Sequence, residues 1–212
     1  MSGDSLLTIL IVLGSVLISV SLHEMMHAFT SHWLGDDTAQ LHGRLTLNPL
    51  AHIDPFLTVL MPVTLALMGL PPIGAAKPVP FNPNRVRWQE YGAALVGVAG
   101  PLTNLLLGVL AGLWVRFVLG MQSGLPTDIF LTFMVVNFSF FTFNMIPFPP
   151  LDGSRVLYAF APQPLQELMA AIERSGFVAF MVFFLVLYPY LGTLIGFVVN
   201  FLSSGILGTS VL

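Results

Sequence analysis

The chain has 212 residues, 56% of them hydrophobic and 8% charged, with a net charge of −3 and no cysteine. A soluble domain averages about 25% charged residues, so this chain cannot cover itself with a wetted surface, and its lack of a basic cluster argues against nucleic acid as a partner. Disulfides and thiolate metal sites are excluded, so any metal must be held by histidine and carboxylate. The composition predicts an all-α polytopic membrane protein of about 4–6 transmembrane or re-entrant segments joined by short extended or β connectors. It is expected to form a single membrane-embedded domain over residues 1–212, with a core at 5–160 and a C-terminal span or spans at 176–208.

In chain order, residues 5–34 form a first apolar segment that no Lys or Arg precedes, so it reads as a retained span and not as a cleavable signal peptide. At its inner end stands His23-Glu24-Met25-Met26-His27, and Gly35-Asp36-Asp37 ends it. A polar connector at 38–54 follows, in which the Leu45/Leu47 alternation predicts a short strand. Residues 55–70 are apolar but short for a span and carry Pro62, which fits a re-entrant hairpin at least as well as a crossing. The Pro-rich loop at 71–87 is expected to be extended. Residues 89–119 form a long span with Gly97, Gly100, Pro101 and Gly108 inside, small residues that let helices approach closely.

A further span at 128–146 leads into Pro147-Phe148-Pro149-Pro150-Leu151-Asp152-Gly153, and 154–175 reads as a short amphipathic stretch at the interface. Residues 176–207 are apolar throughout and interrupted at Pro189 and Gly192, which leaves one kinked span or two open. Among the seven basic residues, Arg44, Lys77, Arg85 and Arg87 flank the 55–70 segment, and Arg155 and Arg174 follow the 128–146 span. The connector at 120–127 has none, so it and the N-terminus are expected outside, with the histidine motif near the cytoplasmic face of the cell membrane. Only Arg116 dissents.

His23 and His27 lie four apart, about 40° around a helix, and so project from one face. This H-E-x-x-H spacing grips zinc between two imidazoles while the glutamate acts as base on water. Ionisable residues at membrane depth are rare and usually functional, although a polar cluster without metal is the plainer alternative. A catalytic zinc site needs a third protein ligand, and the topology points to the inner end of the other inward-running span, where Asp152 stands. Asp152 in isolation reads as an Asp-Gly turn; beside the histidine pair it reads as a ligand. Asn104 is costly in lipid unless it faces the interior, where helix–helix hydrogen bonding and a catalytic role stay equally open. Asn137 and Asn144 are seven apart and share a helix face leading toward Asp152. His32, His42 and His52 read as loop histidines at a wet interface.

The first motif, the segment Asn144-Met145-Ile146-Pro147-Phe148-Pro149-Pro150-Leu151-Asp152-Gly153, and Gly100-Pro101-Leu102-Thr103-Asn104 between them resemble the site-2 protease family of intramembrane zinc metalloproteases. Gly43-Arg44-Leu45-Thr46-Leu47-Asn48-Pro49 and Ala76-Lys77-Pro78-Val79-Pro80 resemble its minimal prokaryotic branch, which lacks PDZ and CBS domains. The resemblance covers about residues 20–155. It implies one Zn2+ per chain on His23, His27 and Asp152, Glu24 as catalytic base, and Asn104 and Asn144 in contact with substrate or the oxyanion. It implies an endopeptidase that cleaves transmembrane or membrane-proximal segments of membrane proteins or peptides, as in regulated intramembrane proteolysis. The alternative is a metal-binding membrane protein without peptidase activity, a metal transporter or an inactive scaffold. A transporter would spread ionisable residues along its spans, whereas here they converge on one depth. Substrate identity, regulatory signal and oligomeric state are not written in the chain.

Overall fold

Four stretches of the chain become helices long and apolar enough to cross a bilayer: Leu6–Trp33, Gln89–Phe117, Leu125–Asn144 and Met181–Leu207. In the computed structural model, which describes residues 3–54, 60, 77, 79–209 and 211, these belong to α1 (Gly3–Trp33), α3 (Gln89–Phe117), α4 (Leu125–Asn144) and α7 (Phe177–Leu207). Short helices α2 (Thr38–Leu41), α5 (Gly153–Phe160) and α6 (Gln163–Arg174) and a 3-10 turn at Pro49–Ala51 complete the described elements. The fold is that of an all-α polytopic membrane protein.

The spans bury the reverse of what a soluble helix buries. On α1 the buried positions include Ser15, Ser19, His23, His27 and Ser31, each four residues from the next, while Leu6, Leu10, Leu13 and Leu17 stay exposed. Lipid is as apolar as leucine, so helices associate through close packing of small residues and not through burying large ones. The central helix α3 follows the same rule. Its buried face includes Gly92, Ala93, Gly97, Gly100, Gly108, Ala111 and Gly112, and it packs against α1, α4, α5 and α7. One apolar core lies where α3, α4 and α7 meet, built from Ala111, Val115, Met134, Phe138, Val199 and Leu207. Phe138 fills the space that the missing side chain of Gly108 leaves.

Several sequence expectations change here. Residues 45 and 46 form bends, and no strand occurs among the described residues. The connector satisfies its polar groups locally instead: the His52 ring hydrogen-bonds the Thr46 carbonyl at 2.9 Å, and the Asn48 amide donates to Thr46 Oγ1 at 3.1 Å. The 154–175 stretch is two helices, separated at Ala161-Pro162 because proline cannot continue the preceding helix. Residues 177–207 are one helix that passes through Pro189, since in lipid an unwound turn would strand backbone groups without partners. The 55–70 segment, expected to be re-entrant, lies outside the described residues except for residue 60.

The end of α1 is fastened to the start of α3. Gly35 turns the chain with φ +102°, and the Arg87 amide donates to the Leu34 carbonyl at 2.9 Å. Fully buried Asp36 accepts from the Asn82 amide at 2.6 Å and from the amide and hydroxyl of Thr38 at 3.1 and 2.5 Å, with Ser31 Oγ at 3.3 Å. Burial opposes ionisation of Asp36, but these donors outweigh it and hold its carboxyl below the usual carboxylate range. The clamp fixes the helix that carries both motif histidines.

Candidate metal centre

α1 brings His23 and His27 to one side, and α3 lies against them. Their rings meet edge to face at 4.6 Å, with the two Nε2 atoms 3.0 Å apart. The contact depends on Gly100: a Cβ there would sit 2.7 Å from His23 Nε2 and closer still to His27 Nε2. Glycine at this position is therefore a requirement of the imidazole pair.

Asp152 arrives from the far end of α4. After Asn144 the chain turns through Pro147, Pro149 and Pro150, which cannot extend the helix, and restarts as α5 at Gly153. A side chain at 153 would collide with the Met145 carbonyl, so glycine lets this turn fold onto itself and aim Asp152 inward. Asp152 Oδ2 lies 3.1 Å from His23 Nε2 and 3.3 Å from His27 Nε2, and the three residues form a group that can hold a metal ion. This oxygen is buried and has no conventional hydrogen-bond partner among the described residues.

The donor set fits zinc on three counts. Both imidazoles use Nδ1 elsewhere: His23 Nδ1 donates to Asn104 Oδ1 at 2.6 Å, and His27 Nδ1 donates to the Val96 carbonyl at 2.7 Å. Each Nε2 is left as an electron-pair donor facing the same point as Asp152 Oδ2, the arrangement in which outer partners fix metal-binding histidines. Ligand atoms 3.0–3.3 Å apart also match the edge of a tetrahedron with zinc bonds of about 2.0–2.1 Å, which is about 3.3 Å. Two nitrogens and one carboxylate oxygen are a ligand set that catalytic zinc uses, with a fourth position open.

Glu24 is half-buried and lies between the two histidines in the sequence of α1. It forms no ion pair among the described residues, so its carboxylate is uncommitted. Asn104 is fully buried, and both ends of its amide are engaged: Oδ1 with His23, Nδ2 with Asn137 Oδ1 at 2.9 Å and, at a marginal 3.4 Å, with the Ser19 carbonyl. That puts it behind His23 and not free toward a substrate. Asn144 is half-buried and donates to the Phe140 carbonyl one turn back at 3.0 Å; among the described residues no hydrogen bond joins it to the three ligands. His32 lies not in a loop but in the last turn of α1 and pairs with Asp37 at the surface; His42 follows α2 and bonds the Thr38 carbonyl; His52 is buried, 1% exposed. The sequence reading missed the Val96 carbonyl, which no side-chain pattern announces. It also missed the reason for Gly100, although the glycine itself stood out.

The comparisons with known proteins agree with this chemistry. The chain is 34% identical over 190 residues to the Bacillus subtilis (strain 168) protein named "Putative zinc metalloprotease YwhC", covering 84% of each. It is 31% identical to the proteins named "Putative zinc metalloprotease Rip2" from Mycolicibacterium smegmatis and Mycobacterium tuberculosis, covering 82% of this chain and 66% of theirs. No family model matches the chain, and no solved structure matches it. With a trio of residues that can hold a metal ion and this similarity along most of its length, the chain belongs to the family of YwhC and Rip2, proteins that carry the name of zinc metalloproteases.

Proposed function

We propose that the protein is an intramembrane zinc endopeptidase of the site-2 protease type, holding one Zn2+ per chain on His23, His27 and Asp152 in the cell membrane. The observation that carries this reading is the convergence of His23 Nε2, His27 Nε2 and Asp152 Oδ2 within 3.3 Å of one another, the histidines on a helix long enough to span a bilayer and Asp152 in the turn that follows another. When bound, zinc supplies a Lewis acid that makes water nucleophilic near neutral pH and polarises a peptide carbonyl.

The rest is the work of the chain. Glu24, uncommitted and next to both ligands, takes the proton from the attacking water and returns it to the leaving nitrogen. Asn104 holds His23, while Asn144 keeps its carbonyl oxygen and one N–H for a substrate backbone. A substrate helix satisfies its own amides, so the scissile segment must unwind before attack, and the connector residues offer backbone groups to receive it. The substrate class is a membrane protein or peptide with a transmembrane or membrane-proximal segment. The basic residues around 38–87 and after α4 support a position of the site near the cytoplasmic side.

The test compares membrane proteins of cells carrying wild-type or Glu24→Gln protein by mass spectrometry of their termini. New termini inside or beside apolar spans, present only with wild type, are expected. Identical sets of termini would refute the peptidase reading.

A further inference from the structure

Asn137 lies on α4, is fully buried, and among the described residues hydrogen-bonds Asn104 and the Phe133 carbonyl, not the trio or Glu24. Its hydrogen bonds nevertheless have only one consistent direction. Asn137 Nδ2 meets the Phe133 carbonyl at 2.8 Å, and a backbone carbonyl can only accept. The amide of Asn137 is thereby oriented, and the oxygen Oδ1 must face Asn104. Asn104 answers with Nδ2, at 2.9 Å, which turns its own Oδ1 toward His23 Nδ1 at 2.6 Å. Facing an acceptor, His23 must carry its proton on Nδ1, and Nε2 is left to the metal.

If Asn104 were flipped, its NH2 group would face Nδ1 and its oxygen would face that of Asn137. The other tautomer of His23 would then be favoured, with a proton on the nitrogen that the metal needs. We infer that Asn137 is a positioning residue for the metal centre: through Asn104 it transmits the polarity of the Phe133 carbonyl to His23 and so presents Nε2 as a ligand. His27 needs no such relay, because the Val96 carbonyl addresses its Nδ1 directly. One histidine is set by backbone directly, the other through Asn104, whose Nδ2 bonds Asn137 and also meets the Ser19 carbonyl at a marginal 3.4 Å. The inference deepens the zinc reading and rests on it.

The experiment measures zinc affinity of purified protein by chelator competition, the visible spectrum of the cobalt-substituted protein, and thermal unfolding of the metal-free protein. Asn137→Leu removes the relay. Asn137→Ser removes it more gently, because a serine hydroxyl can bond the Phe133 carbonyl itself but is too short to reach Asn104. Ser139→Ala, on the same helix, deletes a hydroxyl that bonds the Val135 carbonyl at 2.8 Å and serves as control.

Loss of an outer partner of a metal-binding histidine typically costs 10–100-fold in metal affinity. Both Asn137 variants are expected to show such a loss with an altered cobalt spectrum, and Ser139→Ala to match wild type. If Asn137→Leu does not fold, Asn137→Ser decides between relay and packing. Unchanged affinity and spectrum in the folded variants, even with lowered thermal stability, would make Asn137 purely structural and overturn the relay. A wild-type protein that binds no zinc would instead refute the zinc reading itself.

Discussion

The two ends of α3 solve one problem for opposite purposes. Toward its C-terminal half, Gly108 and Gly112 clear space for Phe138 and Met134, and the result is a dry apolar core shared with α4 and α7. Toward its N-terminal half, Gly97 clears space for the Asp152 carbonyl and the Arg155 side chain, and Gly100 for two imidazoles. The packing rule is the same, small residues where helices touch, but one end gains cohesion and the other a group that can hold a metal ion. A glycine in a span therefore says that something comes close; only the partner says what for.

The largest effects are expected at the metal-binding end. Asp152→Ala removes one of three ligands and should abolish both zinc retention and turnover, measured by metal analysis and peptide cleavage. Gly100→Ala should come next, because its Cβ would collide with His27 Nε2 and force the imidazole pair apart. Zinc affinity should fall at least tenfold, by analogy with lost outer-partner support, while the fold persists. Gly108→Ala is the matched contrast. Overpacking against Phe138 should cost about 1–3 kcal/mol of stability and leave zinc affinity intact. If Gly108→Ala impaired zinc binding as much as Gly100→Ala, the division into two regions would fail.

The Asp36 clamp should show a smaller effect with a pH signature. Its carboxyl is held below the unfolded value of about 3.9, so its contribution is fully present above that pH and is lost as pH falls through the folded value. Asp36→Asn should destabilise by about 1–3 kcal/mol near neutral pH, and its unfolding should lose less stability on acidification than that of wild type. The smallest effect belongs to Arg155 and Glu173, an ion pair whose side chains are 30% and 43% exposed. Arg155→Ala should change stability by less than about 1 kcal/mol. A larger loss would mean that α5 and α6 depend on this pair.

Much of this was legible in the sequence because membrane physics limits the choices. Spans had to be apolar and helical, and the ionisable residues inside them had to converge, so His23, His27 and Asp152 could be grouped before any coordinate was known. The Leu45/Leu47 strand failed because alternation over so few residues competes with side-chain bonds from Thr46, Asn48 and His52, which satisfy the backbone locally. The continuity of α7 through Pro189 was undecidable from the chain alone, since a proline signals a break or a tolerated defect with the same letter. The placement of Asn104 depended on what stood behind it. Its amide is half of a pair with Asn137, and pairing across helices leaves no trace in either segment read singly.

The most direct measurement is zinc content together with turnover in purified Glu24→Gln protein, set beside wild type on one substrate. Glutamine is nearly isosteric with glutamate but cannot accept the proton, and general-base catalysis is worth about 10²–10⁴-fold. One zinc per chain is expected in both proteins, with a loss of turnover of that size in the variant. Near-normal turnover would contradict the mechanism, and loss of zinc from the variant would make Glu24 a ligand instead of the base.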